Sequence, residues 1–144
     1  MKPYADSSFL VSCYVPDSHT SQAKSYLLRT GEPLVFSGLH ALEVRNAFQL
    51  GVFRKLFSAR DAAAAWTTLE SDLRSGRLVK QAVNWPVVLR LAARFSERHS
   101  AAVGSRSLDI LHVAVAKALR APEFVSFDLR QRTLAASVGL KVAP

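Results

Sequence analysis

Hydrophobic residues along the chain follow two kinds of pattern. Short apolar runs bounded by turn residues indicate buried strands at 2–6, 33–38, 123–128 and 140–143, with 77–83 as a further strand or an extended connector. Between these runs, apolar residues recur with helical spacing. The predicted helices are 7–15, 17–31, 37–56, 58–76, 84–100, 106–119 and 129–139. Strands that alternate with helices along the chain indicate an α/β fold with a mostly parallel sheet.

Several predicted helices carry clear signals at their ends. Ser58 and Asp61 have the spacing of a capping box, and Asn84 lies just before Pro86 in a first helical turn. The other predicted N-caps are Ser37 and either Asp17 or Ser18, and the predicted stops are Gly31 and Gly76.

No repeat, low-complexity tract or long linker interrupts this series of strands and helices, so we expect one domain over residues 1–144.

The composition is that of a globular protein, since 49% of the residues are hydrophobic. No apolar run approaches the length of about 18–20 residues that crosses a bilayer. The N-terminal run FLVSCYV follows Asp6 and has no small-residue cleavage site, which argues against a signal peptide. Cys13 is the only cysteine, so it cannot form an internal disulfide. These features fit a cytoplasmic protein.

The charge of the chain is strongly positive, with 19 Lys and Arg against 11 Asp and Glu and a net charge of +8. Such a balance favours a polyanionic partner, most often a nucleic acid. The alternative is a basic protein without such a partner. Arg90, Arg94 and Arg98 form the only clear basic line on one helix, and a solvated face is its simplest interpretation.

Two aspartates lie where predicted strands end. Asp6 ends the run 2–6, and Asp128 ends the run 123–128. The carboxyl ends of parallel strands meet at one edge of a sheet, where ligands bind in folds of this class. Each residue alone could equally be a turn or cap residue, because aspartate is common after strands.

Glu43 and Asp109 lie on helix faces that we expect to point inward. At 100° per residue, the helical neighbours of Glu43 include Leu39 and Ala47, so its stripe is mainly apolar. Asp109 opens an almost wholly apolar helix and shares its face with Val113. Alternatively, Glu43 could lie at a helix margin, and Asp109 could simply complement the helix dipole.

These four acids are four of only eleven in a basic chain. If they converge, they repel one another, and one takes up a proton unless a cation neutralises them. Oxygen ligands without a set of cysteines or histidines suit Mg²⁺ or Mn²⁺. We therefore expect a divalent metal site, in which the metal activates a water and stabilises charge on a phosphate.

Four stretches of the chain carry a family resemblance: YADSSFL, LHALEVRNAF, RSLDILHVAVAKAL and FVSFDLRQRTLAASVGLKV. In order, spacing and surroundings they resemble the PIN-domain ribonucleases, especially the VapC toxins of bacterial and archaeal toxin–antitoxin pairs. The resemblance covers essentially the whole chain. It implies a three-layer PIN-like α/β domain, whose mostly parallel central sheet of four or five strands is flanked by helices.

The resemblance also implies roles for the four acids. Asp6, Glu43 and Asp109 would be metal ligands, directly or through water. Asp128 would hold a second ion or orient a metal-bound water. No side chain need be the nucleophile, because that water would attack the phosphodiester.

Further residues take supporting roles by the same resemblance. Ser8 matches a small polar residue two positions after the first aspartate, and Ser126 keeps the hydroxyl where a threonine is often found. Arg130 and Arg132 are candidates for contacts to RNA phosphates, with a solvated helix face as the alternative. His112 is interpreted as a packed helix residue rather than a ligand, because the carboxylate set is complete without it.

The function implied is that of an Mg²⁺- or Mn²⁺-dependent endoribonuclease. It would be the toxin of a toxin–antitoxin pair, dimerise, and be silenced by a cognate antitoxin. The first alternative is a catalytically inactive PIN-fold module that binds RNA or protein. The second is a phosphoacceptor receiver domain. That class needs an acidic pair after the first strand and a late lysine, whereas ADSS lacks the pair and Lys141 is misplaced.

Overall fold

The computed structural model describes all 144 residues. The helices are α1 (Ser7–Tyr14), α2 (Thr20–Thr30), α3 (Gly38–Phe53), α4 (Ala59–Ser75), α5 (Trp85–Phe95), α6 (Ala101–Val103), α7 (Ser107–Ala118) and α8 (Leu129–Ser137). The strands are β1 (Tyr4–Ala5), β2 (Leu34–Phe36), β3 (Leu78–Lys80), β4 (Phe124–Val125) and β5 (Val142–Ala143). A π-helical turn, Ser96–Ser100, joins α5 to α6. None of the helices has the length and apolar composition needed to span a membrane.

The strand pairing confirms the predicted α/β class. Every strand pair is parallel. Strands β1, β4 and β5 form a three-stranded sheet in the order β1-β4-β5, and β2 pairs with β3 in a two-stranded sheet. The segment 77–83 contains β3, so it is a strand followed by a connector.

Backbone contacts divide the chain into two compact units. The terminal unit comprises Met1–Asp6 and Ala82–Pro144, and the central unit comprises Ser7–Gln81. The terminal unit contains the three-stranded sheet, and the central unit contains the two-stranded one. A single domain over residues 1–144 stays a prediction.

The core of the terminal unit forms around its sheet and α7. Tyr4 pairs with Phe124 in the ladder between β1 and β4, and both side chains are fully buried. Helix α7 packs against α5 and α8. It is apolar almost all the way round, and it buries a continuous run from His112 to Ala116, as expected for a helix covered on several sides.

The core of the central unit lies between its two strands and its helices. Leu34 pairs with Leu78 in the ladder between β2 and β3, and both side chains are buried. Helix α1 packs against α2, α3 and α4, with Phe9 in edge-to-face contact with Tyr26 of α2. Gly51 of α3 is closely approached by the ring of Phe57, so any side chain there would collide with the ring.

Most of the predicted helix ends are confirmed. Ser37, Ser58 and Asn84 each accept a hydrogen bond from a backbone N–H in the first turn of the following helix. Gly31 and Gly76 end α2 and α4 with φ of 63° and 82°. These left-handed conformations favour glycine because it has no Cβ atom.

The predicted N-cap of α2, Asp17 or Ser18, is wrong. The N-cap residue is His19, which makes no side-chain capping bond, and the helix begins at Thr20. The carboxylate of Asp17 accepts the backbone N–H of His19 across 2.8 Å. Aspartate often forms such a local turn with the backbone two residues on, and that turn competes with capping.

Asp128 does not end a strand as predicted. Strand β4 stops at Val125, and Asp128 is the N-cap of α8, with its carboxylate accepting the backbone N–H of Gln131. The hydroxyl of Ser126 accepts the backbone N–H of Asp128 across 3.0 Å, which turns the chain out of the sheet. Asp6, in contrast, directly follows β1 as predicted.

Candidate functional site

Asp6 lies at the carboxyl end of β1 and has no solvent exposure. Its Oδ2 atom accepts hydrogen bonds from the hydroxyl of Ser126 across 2.7 Å and from Nε2 of Gln131 across 2.9 Å. Burial of an ionised carboxylate is costly unless hydrogen bonds replace its hydration. These two donors offset that cost and fix the orientation of the carboxylate.

The same two partners connect Asp6 with Asp128. The hydroxyl of Ser126 donates to Asp6 and accepts from the backbone N–H of Asp128, which a hydroxyl can do at once. Gln131 donates to Asp6 through its side chain and to Asp128 Oδ1 through its backbone N–H, across 2.8 Å. Asp6, Ser126, Asp128 and Gln131 therefore form a closed hydrogen-bonded ring, called the carboxylate ring below.

Asp109 lies in the first turn of α7 and is half-buried. Burial raises the pKa of its carboxyl group, and the negative charge of Asp128 raises it further. Arg106 opposes this shift, with its Nε 3.5 Å from Asp109 Oδ2. The terminal unit thus brings Asp109 within electrostatic reach of the carboxylate ring, and three of the four predicted acids lie in this unit.

Glu43 lies in the central unit on α3 and is half-buried. Its Oε1 atom accepts a hydrogen bond from the hydroxyl of Ser7 across 2.9 Å. On the face of α3 that carries Glu43, Leu39 is buried, whereas Leu50 is partly exposed. Ser8 is exposed on α1, and its supporting role stays a prediction.

Two residues of these networks were not predicted from the sequence, Gln131 and Ser7. Gln131 has a detectable signal, because it follows Asp128 at the spacing of a capping box. Ser7 has none, since its partner Glu43 is 36 residues away and no spacing rule joins them.

The oxygen donors of the terminal unit fit a hard divalent cation. Carboxylates such as those of Asp6, Asp109 and Asp128 suit Mg²⁺ or Mn²⁺, and both ions retain several waters in proteins. Oε1 of Gln131 is buried and has no hydrogen-bond partner, and a hydrated ion would supply one. No three His, Cys, Asp or Glu side chains form a preformed metal cage. The fit therefore rests on donor chemistry rather than on a closed ligand set.

His112 is buried and packed, as its interpretation from the sequence requires. Its Nδ1 atom is hydrogen-bonded to the hydroxyl of Tyr4 across 2.8 Å, and the two rings are in tilted contact. This hydrogen bond satisfies a buried polar ring within the core of the terminal unit.

The two arginines of α8 differ in their surroundings. Arg130 is exposed. Nη1 of Arg132 donates to the carbonyl oxygens of Ser126 and Ala143 across 2.8 and 3.1 Å, and so ties β5 to the turn before α8. Contacts of either arginine with RNA stay a prediction.

A surface cavity of about 620 Å³ lies within the central unit, and none of the four predicted acids lines it. Its lining includes Cys13, Tyr14 and Asp72, and the hydroxyl of Tyr14 donates to Asp72 across 2.7 Å. Burial raises the pKa of Cys13 to about 12, and the charges of Asp17 and Asp72 contribute. The thiol is therefore protonated at neutral pH and is a poor nucleophile.

These features can be compared with known proteins. The PIN domain family matches residues 4–137, and the chain belongs to this family. PIN domains are typically nucleases, and these nucleases generally depend on a metal. A comparison with curated protein sequences finds no match.

Three solved structures are similar over almost the whole chain. VapC20 of Mycobacterium tuberculosis, a toxin that cleaves the sarcin–ricin loop, has a TM-score of 0.67 at 19% identity, covering 96% of each chain. FitAcB of Neisseria gonorrhoeae has a TM-score of 0.64 at 14% identity, covering 99% of this chain and 96% of that one. PAE2754 of Pyrobaculum aerophilum has a TM-score of 0.60 at 18% identity, covering 99% and 83%. At these identities the similarity is one of fold.

Proposed function

We propose that this protein is a divalent-metal-dependent endoribonuclease and the toxin of a toxin–antitoxin pair. The observation that carries the proposal is the carboxylate ring. Two acids of a PIN domain, Asp6 and Asp128, are joined through shared hydrogen bonds, and Asp109 lies within electrostatic reach of them. An isolated acid can be explained as a cap or turn residue, whereas two joined acids beside Asp109, whose pKa is raised, indicate a site for a cation.

Asp6, Asp109 and Asp128 are the proposed metal ligands of the terminal unit. The family resemblance assigns Glu43 to the same role. A bound Mg²⁺ or Mn²⁺ would supply a water that is more acidic than bulk water as the nucleophile, and the ion would stabilise charge on the phosphodiester. The protein's part is to orient the carboxyl group of Asp6, and Ser126 does so through its hydroxyl.

RNA is the proposed substrate. The net charge of +8 favours a polyanion, and the fold is similar to that of a toxin that cleaves the sarcin–ricin loop. Arg130 is the better candidate for a phosphate contact, because it is exposed whereas Nη1 of Arg132 binds backbone carbonyls. Because Nη1 of Arg132 is occupied, we assign any phosphate contact of this residue to Nε and Nη2.

The proposed protein partners are a cognate antitoxin and a second copy of this chain. Both come from the resemblance to VapC toxins. Light scattering of the purified protein tests the homodimer. The product of a neighbouring short gene, added in equal amount, tests the antitoxin, because it should abolish cleavage of RNA.

A catalytically inactive PIN module remains the alternative. It is favoured by the full burial of Asp6 and by the lack of a preformed metal cage. The experiment that separates the two is incubation of purified protein with total RNA in Mg²⁺, in Mn²⁺ and in EDTA. Discrete fragments that appear only with a metal support the nuclease. Fragments that persist in EDTA exclude the metal mechanism, and intact RNA with either ion favours the inactive module.

A further inference from the structure

Gln131 donates hydrogen bonds to both Asp6 and Asp128, and its side chain does not make the contact that is usual for the third residue of a helix. It is the third residue of α8, whose N-cap is Asp128. A glutamine at this point typically reaches back to the backbone N–H of the N-cap residue and closes a capping box.

Helix α4 provides the comparison, because it has a closed capping box. Ser58 Oγ accepts from the backbone N–H of Asp61 across 3.0 Å, and Asp61 Oδ2 accepts from the backbone N–H of Ser58 across 3.1 Å. In α8 the equivalent N–H donates to Ser126 instead. The Gln131 side chain is therefore not used for capping and extends to Asp6.

The burial of Gln131 is also unusual for its residue type. The residue is 5% exposed, and Leu134 and Ala135 on the same helix are fully buried. The Nε2 group of its side-chain amide donates a hydrogen bond to Asp6, but Oε1 is buried and has no hydrogen-bond partner. An unsatisfied buried carbonyl lowers the stability of the fold, whereas leucine or methionine would fill the space without that cost. Packing alone does not account for a glutamine here.

We propose that Gln131 is a positioning residue of the metal site. Its Nε2 holds the carboxylate of Asp6, and its Oε1 accepts a hydrogen bond from a water in the hydration shell of the bound ion. The two atoms share one carbon, so Oε1 lies beside that carboxylate. Mg²⁺ and Mn²⁺ keep several waters when few carboxylates bind them, which gives Oε1 its partner. The inference rests on the proposed metal-dependent function.

The first test is Gln131→Met, which keeps the size of the side chain and removes both hydrogen-bonding groups. We expect MnCl₂ to bind about 10–100-fold more weakly by titration calorimetry, the usual effect of losing a partner of a metal ligand. The melting temperature without metal should change little, because the lost bond to Asp6 and the lost unsatisfied carbonyl act in opposite directions. Gln22→Met, at an exposed site on α2, is the matched control and should bind Mn²⁺ like the wild type.

The second test is Gln131→Glu. It keeps an oxygen that can accept from water and replaces the donor facing Asp6 with a negative charge. Repulsion should lower the melting temperature without metal, while Mn²⁺ should bind at least as tightly as to the wild type. This variant decides the question if Gln131→Met does not fold.

Several results overturn the inference. Wild-type Mn²⁺ affinity in Gln131→Met, with a lower melting temperature without metal, would make Gln131 purely structural. Weaker Mn²⁺ binding by Gln131→Glu than by Gln131→Met contradicts the role of Oε1, because both variants lack the donor to Asp6 and only the glutamate keeps an acceptor oxygen. A wild-type protein that binds no Mn²⁺ overturns the inference whatever its action on RNA. Mn²⁺ binding that depends on Gln131 without RNA cleavage would refute the nuclease and leave the inference standing.

Discussion

The hydroxyl of Ser126 donates a hydrogen bond to Oδ2 of Asp6 across 2.7 Å, and neither residue has any solvent exposure. The two residues are 120 positions apart in the chain. Their contact joins the carboxyl end of β1 to the turn that follows β4. Because water cannot replace the lost donor in such a setting, the stability of the fold should depend on this hydroxyl.

Ser126→Ala should lower the free energy of unfolding by about 1.5–3 kcal/mol, the typical effect of losing a hydrogen bond to a charged buried group. Urea denaturation without metal measures it. Ser126→Thr keeps the hydroxyl and should retain most of the stability. Ser137→Ala is the matched control, since Ser137 is exposed on α8 and bonds only the carbonyl of Thr133. Equal stability of the Ser126→Ala and wild-type proteins would contradict the role of the hydroxyl.

Asp109→Asn keeps the shape of the side chain and removes one charge from the proposed site. Without metal, the melting temperature should be unchanged or higher, because burial and Asp128 disfavour the ionised form. The wild type should gain several degrees on adding Mg²⁺ or Mn²⁺, since ten times Kd corresponds to about 1.4 kcal/mol. The variant should lose most of that gain together with RNA cleavage.

The control for this experiment is Asp61→Asn, an exposed acid in the capping box of α4, which should keep the full metal-induced shift. A structural role for Asp109 would give the opposite pattern. The variant would then melt far lower without metal and still respond fully to the ion.

The raised pKa of Asp109 also predicts how this difference in stability depends on pH. Its folded-state pKa lies above the unfolded value, so the proton binds the folded state more tightly. The ionised carboxylate therefore costs stability at neutral pH, and the cost disappears as pH falls below the unfolded value of about 3.9. In metal-free buffer, the advantage of Asp109→Asn over the wild type should shrink as the solution is acidified. A difference that is constant with pH would exclude this origin.

The features predicted well from the sequence have short-range causes. Ser58 and Asp61 bond within one turn, and Gly31 ends a helix through its own φ, so a local pattern is sufficient. Asp6 follows directly from the end of an apolar run. The prediction that Asp17 caps α2 was wrong for an equally local reason. Its carboxylate can accept a hydrogen bond from the backbone of a turn or from the first turn of a helix, and the sequence does not show which of the two it takes.

The features that were missed depend on contacts distant in sequence. The bond between Gln131 and Asp6 spans 125 positions, and the bond between Ser7 and Glu43 spans 36. The D-x-x-Q spacing at 128–131 predicts a capping box. The backbone N–H of Asp128 donates to Ser126 instead, and the side chain of Gln131 bonds Asp6. Only packing decides which partner such a side chain takes.

The two arginines of α8 should have separable effects, because only one of them is committed to the fold. Arg132→Gln removes the donor to the carbonyls of Ser126 and Ala143 and should cost about 1–3 kcal/mol of unfolding free energy. Arg130 is exposed, and Arg130→Gln should leave the melting temperature unchanged. Urea denaturation of the two variants tests the difference, with each as the control for the other.

Binding of RNA should respond in the reverse order. Each phosphate neutralised on a single strand contributes a slope of about −0.7 to log K against log salt. If Arg130 contacts a phosphate, Arg130→Gln should make that slope shallower by about 0.7. Arg132→Gln should change the slope less, because Nη1 already binds backbone carbonyls. Fluorescence anisotropy of a labelled single-stranded RNA over a salt series, in EDTA to prevent cleavage, measures both. A slope of log K against log salt in Arg130→Gln equal to that of the wild type would show that Arg130 contacts no phosphate, and other basic residues of the chain would then make the phosphate contacts.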